Sequence, residues 1–108
     1  MASAKAKDII SSAPVVVFSK SYCPYCVQVK KLLSDLGVQF KAIELDNEND
    51  GSDIQNALAE STGQRTVPNV FIGGKHIGGC DTVTGLHRDD KLKPLLTEAG
   101  ALVASASS

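Results

Sequence analysis

Apolar residues recur along the chain with two different periods. Val15-Val16-Val17-Phe18 is a continuous apolar run of strand length and predicts a buried strand over Val15 to Ser19. Beyond it, Val29, Leu32, Leu33 and Leu36 fall at i, i+3, i+4 and i+7, one face of a helix, with Gly37 as its C-terminal stop. Val38 to Leu45 alternates as a second strand, and Asp46 to Gly51 is a polar loop. Ser52 with Gln55 predicts a capping box, and Ile54, Ala57 and Leu58 form the buried face of a helix that Gly63 ends. Val70-Phe71-Ile72 and Lys75-His76-Ile77 flank Gly73-Gly74, a two-residue hairpin turn in which positive φ suits glycine. Gly78-Gly79 closes that hairpin, and Cys80-Asp81-Thr82 opens another helix. Leu92, Leu95 and Leu96 mark the last helix, with Pro94 near its first turn and Gly100 after it. At the other end, residues 3–12 form a short helix with Ile9 and Ile10 facing inward, separated from the first strand by Pro14.

The predicted order is therefore α-β-α-β-α-β-β-α-α. A helix joins the first two strands, so they should run parallel through a right-handed crossover. The last two strands form a hairpin. A mixed four-stranded sheet flanked by helices on both faces satisfies these connections, which makes the fold class α/β. We expect one domain over residues 1–108, with 1–6 and 103–108 frayed.

Composition narrows the function. Hydrophobic residues make up 43% of the chain, but no apolar run approaches membrane-spanning length. A net charge of −1 provides no field that would draw the protein to nucleic acid or an anionic membrane. Three cysteines are an odd count, unlike a secreted disulfide framework. Met1-Ala2-Ser3-Ala4-Lys5-Ala6-Lys7 lacks the apolar core of a signal peptide, so a cytoplasmic location is expected. In the cytosol a close cysteine pair is more often catalytic or metal-binding than structural.

The chemistry concentrates at Ser21-Tyr22-Cys23-Pro24-Tyr25-Cys26, between the first strand and the helix that follows. A C-x-x-C at such a junction is the thioredoxin-like redox signature. Pro24 suits the first helical position, where its missing N–H would be unpaired anyway. Cys23 then stands at the positive end of the helix dipole, and Cys26 faces the same side one turn on. A zinc site built from Cys23, Cys26, His76 and Cys80 is the sharper rival to redox chemistry, but its spacing departs from that of ordinary fingers. Cys80 reads as a small buried residue, and His76 and His87 as surface residues.

Three segments, Tyr22-Cys23-Pro24-Tyr25-Cys26, Gly63-Gln64-Arg65-Thr66-Val67-Pro68 and Gly78-Gly79-Cys80-Asp81-Thr82, resemble in order those of a class I, dithiol glutaredoxin of the plant C-P-Y-C type. The resemblance runs from about Lys7 to Gly100. It implies a thioredoxin-like fold and a glutathione-dependent thiol–disulfide oxidoreductase, with Cys23 and Cys26 as catalytic residues. Glutathione would serve as co-substrate, with no tightly bound cofactor and no metal ligands, and the partners would be glutathionylated or disulfide-containing proteins met by a monomer. By the same resemblance, Thr66 and Val67 present backbone groups to the cysteinyl part of glutathione beside a cis Pro68, and Tyr25 forms a wall. Lys20 and Gln64 meet the glycine carboxylate, while Asp81 and Thr82 hold the γ-glutamyl end. Helix N-termini and lysine bind carboxylates, so these assignments make physical sense. Many members of the family it resembles carry two consecutive acidic residues or Ser-Asp where this chain has Asp81-Thr82.

A free cysteine with a pKa of about 8.5 is only ~3% thiolate at neutral pH. Lowering it by ~3 units raises that fraction roughly thirtyfold, while intrinsic nucleophilicity falls roughly twentyfold. Attack by Cys23 is then close to break-even, and the gain appears when Cys23 must leave. Lys20, three residues before Cys23, is expected to add to the helix-terminal effect. Two other classes stay open at this point. One is a dimer sharing an iron–sulfur cluster through Cys23 and glutathione, which Pro24 disfavours by stiffening the loop; the other is a redox-inert interaction module.

Overall fold

The computed structural model describes residues 2–102. The elements follow the expected order: α1 (Ala2–Ser11), β1 (Val15–Ser19), α2 (Pro24–Asp35), β2 (Lys41–Glu44), a 3-10 turn (Leu45–Asn47), α3 (Gly51–Thr62), β3 (Asn69–Ile72), β4 (Lys75–Gly78), α4 (Cys80–Arg88) and α5 (Leu92–Glu98). The sheet order is β2-β1-β3-β4, with β1 parallel to β2 and antiparallel to β3, and β3 antiparallel to β4.

β1 is buried along its whole length because both of its faces are covered. Val15 and Val17 point into one core with Val29, Leu33, Val70, Val83, Leu92 and Leu96. Val16 and Phe18 point into the other with Ala6, Leu45, Ile54, Leu58 and Phe71. In the second core Phe18 and Phe71 meet edge to face, with ring centroids 5.8 Å apart. The period-2 alternation of a strand thus divides one apolar run between two cores.

The structure departs from the sequence reading in three places. Residues 2–6 are helical rather than frayed: Ala6 is buried, and Lys5 pairs with Asp50 at 2.8 Å. Residues 103–108 lie outside the described residues. The second strand covers only Lys41–Glu44 of the predicted Val38 to Leu45. Val38 is instead buried where its N–H returns to Leu33 O at 3.0 Å, closing α2 behind Gly37 at φ 79°. The capping box of Ser52 and Gln55 does not form. α3 starts two residues earlier, at Gly51 with Asp50 at the N-cap, and Gln55 Nε2 donates to Arg65 O at 2.7 Å. Gly73 and Gly74 do form the hairpin turn, both with positive φ.

Gly51 is where α3 presses on the 3-10 turn. A Cβ on Gly51 would stand 1.9 Å from the Leu45 carbonyl oxygen, and backbone on both sides leaves no flexible group to yield. Overpacking costs roughly 1–3 kcal/mol and occasionally more. Gly51→Ala should therefore lower the thermal unfolding midpoint by at least ~5 °C. A midpoint within ~2 °C of the parent, followed by circular dichroism, would show that the two segments can separate freely.

Candidate active site

Cys23 occupies the N-cap of α2, with Pro24 in the first turn. Its backbone N–H donates to Lys20 O at 3.0 Å, which tightens the loop leaving β1. Asp46 secures the same loop from the 3-10 turn: its carboxylate accepts from the Ser21 N–H at 2.9 Å and from the Ser21 hydroxyl. The Cys23 sulfur accepts the Cys26 N–H at 3.3 Å, so the sulfur fills the role that a serine or aspartate oxygen usually plays at a helix start. All three cysteines are free thiols.

The two cysteines of the motif differ in environment. Partial burial is the largest influence on Cys23 and opposes ionisation. The Cys26 thiol, the Cys26 and Tyr25 N–H groups and the Lys30 charge together outweigh it, and hold Cys23 below the ordinary cysteine value. Cys26 is fully buried, and burial pushes it up to about 11, with the Cys23 hydrogen bond adding to the rise and the Lys20 N–H opposing it. One sulfur is thus prepared to carry charge and the other to remain a thiol. The cation acting on Cys23 is Lys30, not the expected Lys20, whose charge acts on Asp46 instead. Spacing could have revealed Lys30, which lies one turn beyond Cys26 on the same helical face.

Beside Cys23 opens a cleft of about 520 Å³, within the range of small-molecule sites. One wall is Thr66, Val67 and Pro68, with the Val67–Pro68 bond cis; Cys23 Sγ lies 3.9 Å from Val67 O. Tyr25, 60% exposed, stands at the α2 side. Gly79, Cys80, Asp81 and Thr82 supply the far wall at the start of α4, where no side chain caps the first turn. Gly78 is needed there: at φ 139° a Cβ would approach Thr82 Oγ1 to 2.9 Å. Cys80 is buried, its thiol meeting Gln28 Oε1 at 3.5 Å, and burial raises its pKa, as a packing residue requires.

Gln64 lines the cleft but is already engaged. Its Nε2 donates to Thr66 O at 3.1 Å and Pro68 O at 2.9 Å, bracing the wall from behind. His76, expected to be an ordinary surface residue, meets Gln64 Oε1 at 3.1 Å, and its ring lies 5.3 Å from that of Phe71. Of the sequence candidates, Tyr25, Gln64, Thr66, Val67, Pro68, Asp81 and Thr82 line this one cleft, with Cys23 beside it and Cys26 beneath. Lys20, half-buried, is not among the lining residues. The zinc alternative requires Cys23, Cys26, His76 and Cys80 together; among the described residues no group of three or more His, Cys, Asp or Glu is placed to hold a metal ion.

A C-x-x-C whose first sulfur caps the helix after a buried strand, in a mixed four-stranded sheet flanked by helices, defines a thiol–disulfide oxidoreductase of thioredoxin-like fold. Residues 15–77 match the family model described as Glutaredoxin, and the chain belongs to that family. It is 71% identical over 104 residues to a glutaredoxin of Vernicia fordii, covering 96% of this chain and 100% of that one. It is 67% identical over 108 residues to glutaredoxin-C2 of Arabidopsis thaliana, covering 100% of this chain and 97% of the relative. Among solved structures, a buckwheat glutaredoxin–glutathione complex superposes with a TM-score of 0.94 at 62% identity, covering 95% of this chain and 94% of that chain.

The alkylation rate of Cys23 should rise with pH through a midpoint below that of an ordinary cysteine, because the proton leaves the sulfur at lower pH than from a free thiol. Cys26 should stay unreactive until about 11. Lys30→Met should move the Cys23 midpoint upward, and Lys20→Met should leave it in place. A shift produced by Lys20→Met alone would reverse the assignment of the cation.

Proposed function

We propose that this chain reduces mixed disulfides between glutathione and proteins through Cys23, and protein disulfides through Cys23 and Cys26 together. The observation that carries the reading is the position of the capped, charge-favoured Cys23 sulfur beside a peptide-sized cleft, 3.9 Å from Val67 O. The similar buckwheat glutaredoxin was solved as a complex with glutathione, which supports the choice of ligand.

In this reading glutathione lies along the Thr66–Val67 wall, pairing its cysteinyl backbone with that segment as an added strand would. Its γ-glutamyl carboxylate meets the uncapped first turn of α4, and the neighbouring ammonium meets Asp81. Thr82 adds a hydroxyl, and Tyr25 closes one side. Lys20 reaches for the glycine carboxylate. Gln64 holds the Thr66 and Pro68 carbonyls and so shapes the wall.

The Cys23 thiolate attacks the glutathione sulfur of the mixed disulfide, and the client protein leaves as a thiolate. A second glutathione thiolate then attacks the sulfur now attached to Cys23. Cys23 departs with the electron pair, stabilised by the N–H groups that cap it and by Lys30. A less basic leaving sulfur departs faster, so the same contacts that depress the Cys23 pKa speed this second step. With protein disulfides, Cys26 resolves the adduct instead. The protein acts as a monomer in the cytosol, where its thiols stay reduced.

Turnover of a glutathione mixed disulfide and of a protein disulfide tests the division of labour. Cys23→Ser should lose both activities. Cys26→Ser should keep or increase the first and lose the second; equal loss of the first in both variants would overturn the glutathione-resolved route. Asp81→Ala should raise the KM for the glutathione substrate about fivefold, since an exposed ion pair is worth up to ~1 kcal/mol.

A further inference from the structure

The sequence places His76 at the surface, yet its ring completes a chain of contacts that ends at the cleft. Gln64 follows Gly63, where α3 stops, and its backbone N–H donates to Thr62 Oγ1 at 3.0 Å. Its side-chain Nε2 donates to Thr66 O at 3.1 Å and to Pro68 O at 2.9 Å. His76 Nε2 meets the remaining polar atom of that amide, Gln64 Oε1, at 3.1 Å. The sheet aims the ring there. His76 stands opposite Phe71 in the β3–β4 register, and the two rings lie 5.3 Å apart. The register slips beside this pair, so that Val70 opposes Gly78, and such irregularities re-aim side chains. The exchange chemistry at Cys23 makes no use of His76.

A side-chain amide has two N–H donors and one oxygen acceptor. Both donors are engaged on the wall, so Oε1 needs a donor, and a bare ring nitrogen against it would repel. The hydrogen therefore sits on His76 Nε2, in the neutral ring and in the imidazolium alike. Partial burial holds the His76 pKa below the ordinary histidine value, so the neutral Nε2–H ring is the working form at pH 7. We propose that His76, by donating to Gln64 Oε1, fixes the Gln64 amide on the Thr66 and Pro68 carbonyls and is thereby a positioning residue for glutathione. The inference rests on the reading that glutathione lies along the Thr66–Val67 wall.

What His76 decides is where the Gln64 amide spends its time. A held glutamine gives up rotamer freedom, and the carbonyl of the exposed Thr66 has water as an alternative partner. A third contact, at the oxygen, engages every polar atom of the amide and leaves it one orientation, since a turned amide would set Oε1 against two carbonyl oxygens. When the amide swings out, the Thr66–Pro68 segment loses its brace, and a ligand of that wall has to restore it. Apparent affinity then falls with the fraction of molecules in which the wall is braced. The chemical step is spared, because the contacts of the Cys23 sulfur, to the Cys26 N–H and Val67 O, include neither Gln64 nor His76.

The test compares His76→Phe, which keeps a ring against Phe71 but removes the donor, with His76→Gln, which supplies an amide donor in place of Nε2. Two readouts are taken on the full chain: turnover of a glutathionylated peptide, and solvent exchange of the Gln64 side-chain N–H signals by NMR in the free protein, assigned by their loss in Gln64→Leu. His76→Phe should raise KM about threefold with kcat within about 1.5-fold, the pattern of lost binding, and should speed the exchange about threefold, the size of one net hydrogen bond. His76→Gln should bring both within about 1.5-fold of the parent. Added to Gln64→Leu, His76→Phe should raise KM no further, as residues acting through one another require. Unchanged exchange in His76→Phe, no recovery in His76→Gln, or an equal rise in KM without Gln64 would each overturn the proposal. Faster exchange with KM unmoved, in His76→Phe and in Gln64→Leu alike, would overturn the placement of glutathione on this wall, a result distinguishable from failure at His76.

Discussion

The bond from the Cys26 N–H to the Cys23 sulfur is the contact on which the site depends. It forms only because β1 ends at Ser19, the chain turns through Lys20 to Tyr22, and Pro24 starts a helix at once. That turn is held from two directions, by the Cys23 N–H to Lys20 O and by the Asp46 carboxylate on Ser21. The sulfur is thereby fixed where unpaired helical N–H groups converge, and a charge on it replaces an unmet hydrogen-bond requirement instead of creating one. Behind it, β1 is locked by two cores at once, so the anchor of the turn cannot move without disturbing both.

Much of this was legible because the relevant signals are short-range. Cys23, Pro24 and Cys26 sit within four residues, and the identity of a helix start depends on little else. The hairpin at Gly73-Gly74 and the stop at Gly37 were legible for the same reason. What could not be read depends on which strands pair and in what register. Glu44 stands beside Ser19 only because β1 and β2 run parallel with those two residues opposed. Lys30, whose ammonium meets Glu44 Oε2 at 2.8 Å across α2 and β2, is the cation that favours the charged form of Cys23. Distance in sequence favoured Lys20, whose charge the fold turns to Asp46.

The misjudged boundaries have a common cause. Val38 and Leu45 are buried and flank β2, so their hydrophobicity imitates strand alternation. One is buried by the closing turn of α2 and the other by a 3-10 turn, and burial pattern alone does not distinguish these from a strand. Ser52 and Gln55 had the spacing of a capping box, but Gln55 was drawn to Arg65 O, across the loop that leads to the cleft. In both cases a tertiary contact overrode a local preference.

The engagement of Gln64 has a thermodynamic side. One side-chain amide satisfies two carbonyls of the Thr66–Pro68 segment, as the backbone of a neighbouring strand would. The wall therefore exists in its final shape before anything occupies the cleft. Its conformational entropy is already spent in folding, so a peptide arriving there meets a template, and the disorder lost on association is chiefly its own. Affinity at such a surface is governed by how stiff the incoming molecule is, and a guest constrained to an extended backbone gains most.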